Sequence, residues 1–372
     1  MYEKNLSLIL GQYIARFDEL NDPEGNDEGY KWRAESCFKE HWDIDAPDFP
    51  DMFKKSIKQL SNLIDNKTVQ PLGGILMLLN HPEEIEFVRE AFRELFSDDG
   101  GNIDVRQGRI YEFIEAINER IDKYAPGSWK YPQQVNNVIY YLNLWRPEEN
   151  YIFKATEATD WANCIEFGDD FGSGESFSLR KYYRMCDELL EVVSNHPQIL
   201  ELHTKRFKQE ARGYDDKMHI LVYDIIYCAY HYGFYSNAVA ATTSTKKRIE
   251  NAKLRNTCEQ AKTQLEELER KKAGLLTDDA KPIVLTGTEV CHKIWKNGKV
   301  VSHTGNVMEV EFSAGVKKFQ YPDAFVGGFL TLEDGDMLSE IEKESQRLKT
   351  LKDLEDQIGK VDKEYCRLLE LL

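Results

Sequence analysis

No stretch of this sequence is both apolar and long enough to cross a bilayer. The longest apolar run, Ile220–Tyr235, is broken by Asp224 and His231, whereas a spanning helix needs about 20 apolar residues. Met1–Leu10 lacks the charged start and apolar centre of a secretory signal, so none is expected. Cysteine is scattered, at positions 37, 164, 186, 228, 258, 291 and 366, with no pair at metal-site spacing. An odd, dispersed set argues for free thiols in a reducing compartment and against a disulfide framework; the expected location is cytoplasmic. Also missing are a GxxxxGK[ST] phosphate loop and an HExxH zinc signature. No catalytic residue, metal site or cofactor is expected on these grounds.

Positive charge is short in the first part of the chain. Residues 1–240 hold 42 acids against 26 bases, a net of −16, while residues 241–372 hold 23 against 22, a net of −1. An acidic body disfavours nonspecific binding to phosphate, so any nucleic-acid contact falls to the second part. The 372 residues, 41% hydrophobic and 12% aromatic, suit a globular protein of two or three units.

Residues 1–235 read as an all-helical domain. Helices are expected over Leu6–Leu20, Tyr30–Trp42, Pro82–Phe96, Val135–Leu144, Leu179–Val193 and Met218–Tyr235, from apolar periodicity and flanking Pro, Gly and Asp. Phe53, Ile57, Leu60 and Ile64 would share one helical face, as would Ile110, Phe113, Ile114, Ile117 and Ile121. Residues 236–245, small and nearly uncharged, read as a linker.

From residue 246 the pattern changes. Leu254, Cys258, Ala261, Leu265 and Leu268 form a heptad seam, and so do Leu351, Leu354, Ile358, Val361, Tyr365, Leu368 and Leu372. Arms over 246–281 and 333–372 are expected to zip as an antiparallel coiled-coil hairpin; a parallel homodimer is the competing arrangement. Between them, residues 282–332 carry the β signal. Glu289–His292, Lys299–His303, Val307–Phe312 and Val316–Tyr321 alternate, with turns at Thr304-Gly305-Asn306 and Ala314-Gly315. The expected fold is therefore mainly α: an acidic helical domain, then a hairpin with a small SH3-like barrel at its tip.

Val290-Cys291-His292-Lys293-Ile294-Trp295-Lys296-Asn297-Gly298-Lys299-Val300-Val301, with Val310-Glu311-Phe312 and Lys317-Lys318-Phe319 following, resembles the Tudor-like barrel at the C-terminus of bacterial superfamily 1 helicases of the UvrD and PcrA type. The resemblance implies an accessory, non-catalytic platform that engages partners such as RNA polymerase. It is confined to residues 282–332, and Lys296 stands where the helicase pattern has glycine, so Asn297 or Gly298 is expected to carry the positive-φ turn. Lysines interleaved with aromatics can hold a nucleic-acid backbone or a protein partner. The expected partner-binding residues are Lys293, Trp295, Lys299, Lys318, Phe319 and Tyr321.

Other clusters read as structural. Gly168–Gly174 is a loop ahead of a helix at Ser178, since its acids would repel phosphate. Asp215, Asp216, His219, Asp224 and His231 cluster near one helix without metal spacing, and Ile220, Tyr223, Tyr227, Tyr230 and Phe234 read as packing. Lys205, Arg206, Lys208 and Arg212 read as a solvated helix face. The expected function is a non-enzymatic adaptor in a DNA-processing or transcription setting. The alternatives are a nucleic-acid-binding component of a phage-defence or restriction system, and an enzyme with its site in the helical domain.

Overall fold

The computed structural model describes residues 2–209, 215–238, 244–277 and 283–372. Arg212, the centre of the expected linker and Pro282 lie outside the described residues. The chain is mainly helical and divides into two compact units, Met1–Lys253 and Leu254–Leu372.

The body runs α1 (Glu3–Ala15), α2 (Phe17–Leu20), α3 (Tyr30–His41), α4 (Phe49–Ser56), α5 (Ser61–Ile64), α6 (Pro71–Leu79) and α7 (Pro82–Leu95). It continues with α8 (Ile103–Tyr124), α9 (Val135–Trp145), α10 (Ala155–Cys164), α11 (Leu179–Ser194), α12 (Pro197–Gln209) and α13 (His219–His231). Local chemistry sets several starts. The Asp48 carboxylate accepts from the Asp51 amide to cap α4, Asn102 caps α8, and the Ser178 hydroxyl oxygen accepts from the Lys181 amide to cap α11.

Three expectations shift here. The helix expected over Leu6–Leu20 breaks at Arg16, between α1 and α2. The one expected over Met218–Tyr235 stops at His231, and a short 3₁₀ turn, Phe234–Asn237, follows. Phe53, Ile57, Leu60 and Ile64 are all buried but do not share one continuous helix. The Ser56 hydroxyl donates to the Met52 carbonyl, and the Leu60 and Leu63 amides bond three residues back, so the backbone tightens between α4 and α5. Helix α6 contains Gly73-Gly74, where a Cβ on Gly74 would lie 2.5 Å from the Tyr131 carbonyl oxygen. Glycine is kept there so that α6 can approach the chain ahead of α9.

All this packs into one core. Helix α13 lies against α1, α10 and α11, and its residues His219–Ile226 are all buried. Trp42 sits among Phe38, Phe49, Phe53, Phe92 and Phe96, with ring centroids 4.8 to 6.2 Å away. Helix α14 (Thr245–Thr277) runs across the division after Lys253. Its first turns belong to the body because Arg248 is buried there, donating to the carbonyls of Phe167 (2.7 Å) and Asp169 (2.8 Å). Asn251 also bonds Glu166 at 3.2 Å.

The second unit holds the rest of α14, five strands and α16. The strands β1 (Glu289–His292), β2 (Lys296–Thr304), β3 (Val307–Phe312), β4 (Gly315–Gln320) and β5 (Leu330–Thr331) make one curled antiparallel sheet, ordered β4-β3-β2-β1-β5. A register shift between Val300 and Ser302 bends β2. A short helix, α15 (Asp323–Val326), precedes β5, and α16 (Gly335–Leu371) closes the chain. Val290, Val300, Met308, Val310, Phe312 and Leu330 form a separate core, with Ile341 of α16 joining it. From the two seams, Cys258, Leu268, Leu354 and Leu368 are buried. Lys272 of α14 meets Glu355 of α16 at 2.8 Å, and Arg347 donates to the Leu275 carbonyl at 3.5 Å. Among the described residues, no helix is long and apolar enough to cross a membrane.

Candidate functional site

Pleat parity sorts the residues singled out from the sequence. Along β3, Met308, Val310 and Phe312 point to the small core. Met308 pairs with Phe319 and Val310 with Lys317, so Lys317 and Phe319 share the core-side face of β4. Lys318 pairs with Glu309 on the other face, where its ammonium lies 3.2 Å from the Glu309 carboxylate. Lys299 also points outward and stands across from Glu289 on one side and Glu311 on the other. Lys299 and Lys318 are therefore held among acids on the outer face, away from Trp295 and Phe319.

The β1–β2 connection builds the other face. The His292 Nδ1 accepts from the Ile294 amide (3.1 Å) and the Trp295 amide (3.3 Å), which fixes the loop. Trp295 stacks on His292 with centroids 4.3 Å apart and lies 5.6 Å from Phe312 and 6.0 Å from Phe319. The Lys317 ammonium sits 5.5 Å from the Trp295 ring centroid. Ile294 projects outward, 75% exposed, between exposed Lys293 and half-buried Trp295. None of Lys293, Lys296 and Lys317 has an ion-pair partner among the described residues.

One expectation is corrected. The positive-φ residue is Lys296 itself, at 62°, and neither Asn297 nor Gly298. Gly298 is required for another reason: a Cβ there would fall 2.5 Å from the Phe312 ring. Tyr321 is only 6% exposed, and its hydroxyl donates to Glu344 at 2.5 Å. It joins the end of the sheet to α16. The sequence did not mark Lys317 over Lys318; only the strand register separates them.

In the body, Arg206 overturns the reading of a solvated basic face. It is 1% exposed and donates to Asp224 (3.1 Å), the Tyr13 hydroxyl (2.8 Å) and Asn21 (2.9 Å). Lys31, also buried, bonds Asp224 at 2.7 Å and contacts Glu28. Burial opposes charge on all three groups. Even so, Asp224 holds the Lys31 ammonium above its usual pKa, and Lys31 with Arg206 holds Asp224 below its usual one. Glu28, Asp224 and Cys228 have metal-ligand proximity, but the Lys31 ammonium already bonds both carboxylates. This network ties α1, α3, α12 and α13 together. Its chemistry is structural.

A cleft of about 850 Å³ opens in the body, lined by residues including Tyr111, Glu115, Asn136, Phe153, Lys154 and Glu175. Burial lowers the pKa of Lys154, which donates to the Leu63 carbonyl at 2.7 Å. Neither histidine nor cysteine lines this cleft. The Asp169 carboxylate in the glycine-rich loop pairs with Lys181 and Arg184, at 3.1 and 3.0 Å. No family model, curated protein or solved structure matches the chain.

Proposed function

We propose that this chain is a non-enzymatic adaptor whose small sheet docks a protein segment on the face formed by Lys293, Ile294, Trp295, Lys296, Lys317 and Phe319. The exposed Ile294 beside an aromatic floor carries this reading. Around it stand lysines without acidic partners, so the complementary segment would present an apolar side chain flanked by acids. The sheet would be an SH3-like, Tudor-like barrel, and the arms of α14 and α16 would zip as an antiparallel coiled-coil hairpin that displays it. The Lys272–Glu355 pair and the buried seam residues support that pairing. By the helicase resemblance, the partner would belong to DNA-processing or transcription machinery.

A photo-crosslinking amino acid at Ile294 tests this in the native cells. It should give one dominant protein adduct, lost when Trp295→Ala and Lys317→Glu are added. The same probe at Val316, on the outer face, should give none. Equal adducts from both positions would sink the assignment. A nucleic-acid partner would instead show as DNA or RNA binding that falls steeply with salt and needs Lys317.

A further inference from the structure

The cleft of about 850 Å³ in the body has Glu115, Lys154, Glu157 and Glu175 as its charged lining. Lys154 alone is basic. It stands just ahead of α10, half-buried beside the buried Phe153. Its ammonium donates to the Leu63 carbonyl at 2.7 Å. Among the described residues it has no second hydrogen bond and no carboxylate within ion-pair distance, so two of its three donors are unspent. Glu157 acts on it through space, but the Glu157 carboxylate lies 3.2 Å from His231 Nε2.

Lys31, in the same body, shows what a counter-charge does. It is more deeply buried, yet it bonds Glu28 and Asp224, and its pKa rises. Lys154 has no such partner. Burial therefore prevails there and lowers the pKa, which brings the uncharged amine nearer to neutral pH. A lysine amine without its extra proton is a nucleophile toward carbonyl carbon. Lys31 is sealed in a core, whereas Lys154 lines an open cleft of the size that holds a small molecule.

We propose that Lys154 captures an aldehyde in this cleft as an imine. The amine lone pair attacks the carbonyl carbon. Both protons of the nitrogen end on the carbonyl oxygen, which leaves as water, and a C=N bond replaces C=O. No oxidant or reductant enters, and water reverses the step. The lining also selects the class of ligand. Its three carboxylates disfavour an anionic carbonyl compound, while Asn66, Asn136 and Thr156 offer amide and hydroxyl groups to hydroxyls. The ligand is therefore an uncharged hydroxyaldehyde, of the aldose type. This site lies in the body and does not rest on the docking reading.

The test incubates the full chain with D-glyceraldehyde and sodium cyanoborohydride, which fixes an imine as a stable amine, and follows each lysine by peptide mass spectrometry. Lys154 should be labelled at least about tenfold faster than the surface lysines, the gain in free amine that a pKa lower by one would give. Its rate should saturate with glyceraldehyde, as binding before reaction requires, while surface lysines respond linearly. With glyoxylate, an anionic aldehyde, the preference for Lys154 over surface lysines should shrink. Thr156→Trp, at an exposed position of the lining, fills the cleft and should remove both the preference and the saturation, with the urea melt unchanged. Labelling spread evenly over the lysines, a linear response at Lys154, an undiminished preference with glyoxylate, or a preference that survives Thr156→Trp would each overturn the assignment.

Discussion

The two units solve the same problem of apolar surface in opposite ways. Among the described residues, the body leaves three large hydrophobic residues exposed: Leu8, Val105 and Trp129. The other exposed large hydrophobics among the described residues fall between residues 254 and 372, including Ile294, Val316, Val326 and Phe329 at 61%. The body is large enough to close a core and to bury ion pairs inside it. The small unit cannot do this, because a small domain hides a smaller share of its surface. What it leaves outside is arranged, with lysines around Ile294 on one face and paired charges on the other. Scattered apolar residues need no explanation, but a framed one does. The difference teaches that, on the proposed reading, recognition falls to the unit that leaves apolar surface outside its core.

The sharpest way to break this comparison is to remove Asp224. Asp224→Ala strips buried Arg206 of its carboxylate and leaves buried Lys31 with Glu28 alone, which should cost about 3–5 kcal/mol. Urea melts followed by circular dichroism should show the loss. A fluorinated Trp295 resonance should stay put, because the two cores share no residue. Movement of that resonance with the body transition would mean that the units are not independently cored.

Gly298→Ala is the converse. Its methyl would collide with Phe312, and overpacking of this kind costs about 1–3 kcal/mol. The Trp295 resonance should broaden or shift while the body's melt holds.

Acid should divide the units again, since the buried titrating pair sits in the body. Burial lowers the His203 pKa from 6.5 to about 4. Between those values only the unfolded chain takes the proton, so stability falls as pH drops from 6.5 toward 4. Asp215 acts in reverse. Burial raises its pKa from 3.8 to about 6, so the folded state keeps a proton that the unfolded state has released, and stability rises as pH drops through that window. His203→Gln removes the first effect and leaves the second. Its urea midpoint should hold better in acid than the wild type's; an identical decline in both would remove His203 from the account.

The smallest effect is expected at Lys299 and Lys318. On an outer face balanced by Glu289, Glu309 and Glu311, replacing either by alanine should change stability by no more than about 0.5 kcal/mol and leave crosslinking from Ile294 intact. Loss of crosslinking in either variant would return the outer face to consideration.

Much of the architecture was legible. Glu289–His292 and Val307–Phe312 alternate so regularly that their strand bounds coincide with the structure, and proline set the start of α7. Helix α6 is absent from the sequence reading, and the need for Gly74 inside it shows only once Tyr131 is seen packed against it. The burial of Arg206 was invisible because its partners, Tyr13 and Asp224, are distant in sequence and nothing local marks the pairing. The division of Lys317 from Lys318 needed the register of β4 on β3, and one position of slip would exchange their faces.

One last consequence follows from Arg248. Because it is sunk in the body and holds two carbonyls there, the covalent link through residues 239–243 is not the sole tether between α13 and α14. A protease that cut that link would yield two fragments on a denaturing gel and a single particle on a sizing column. Arg248→Ala would let the fragments part.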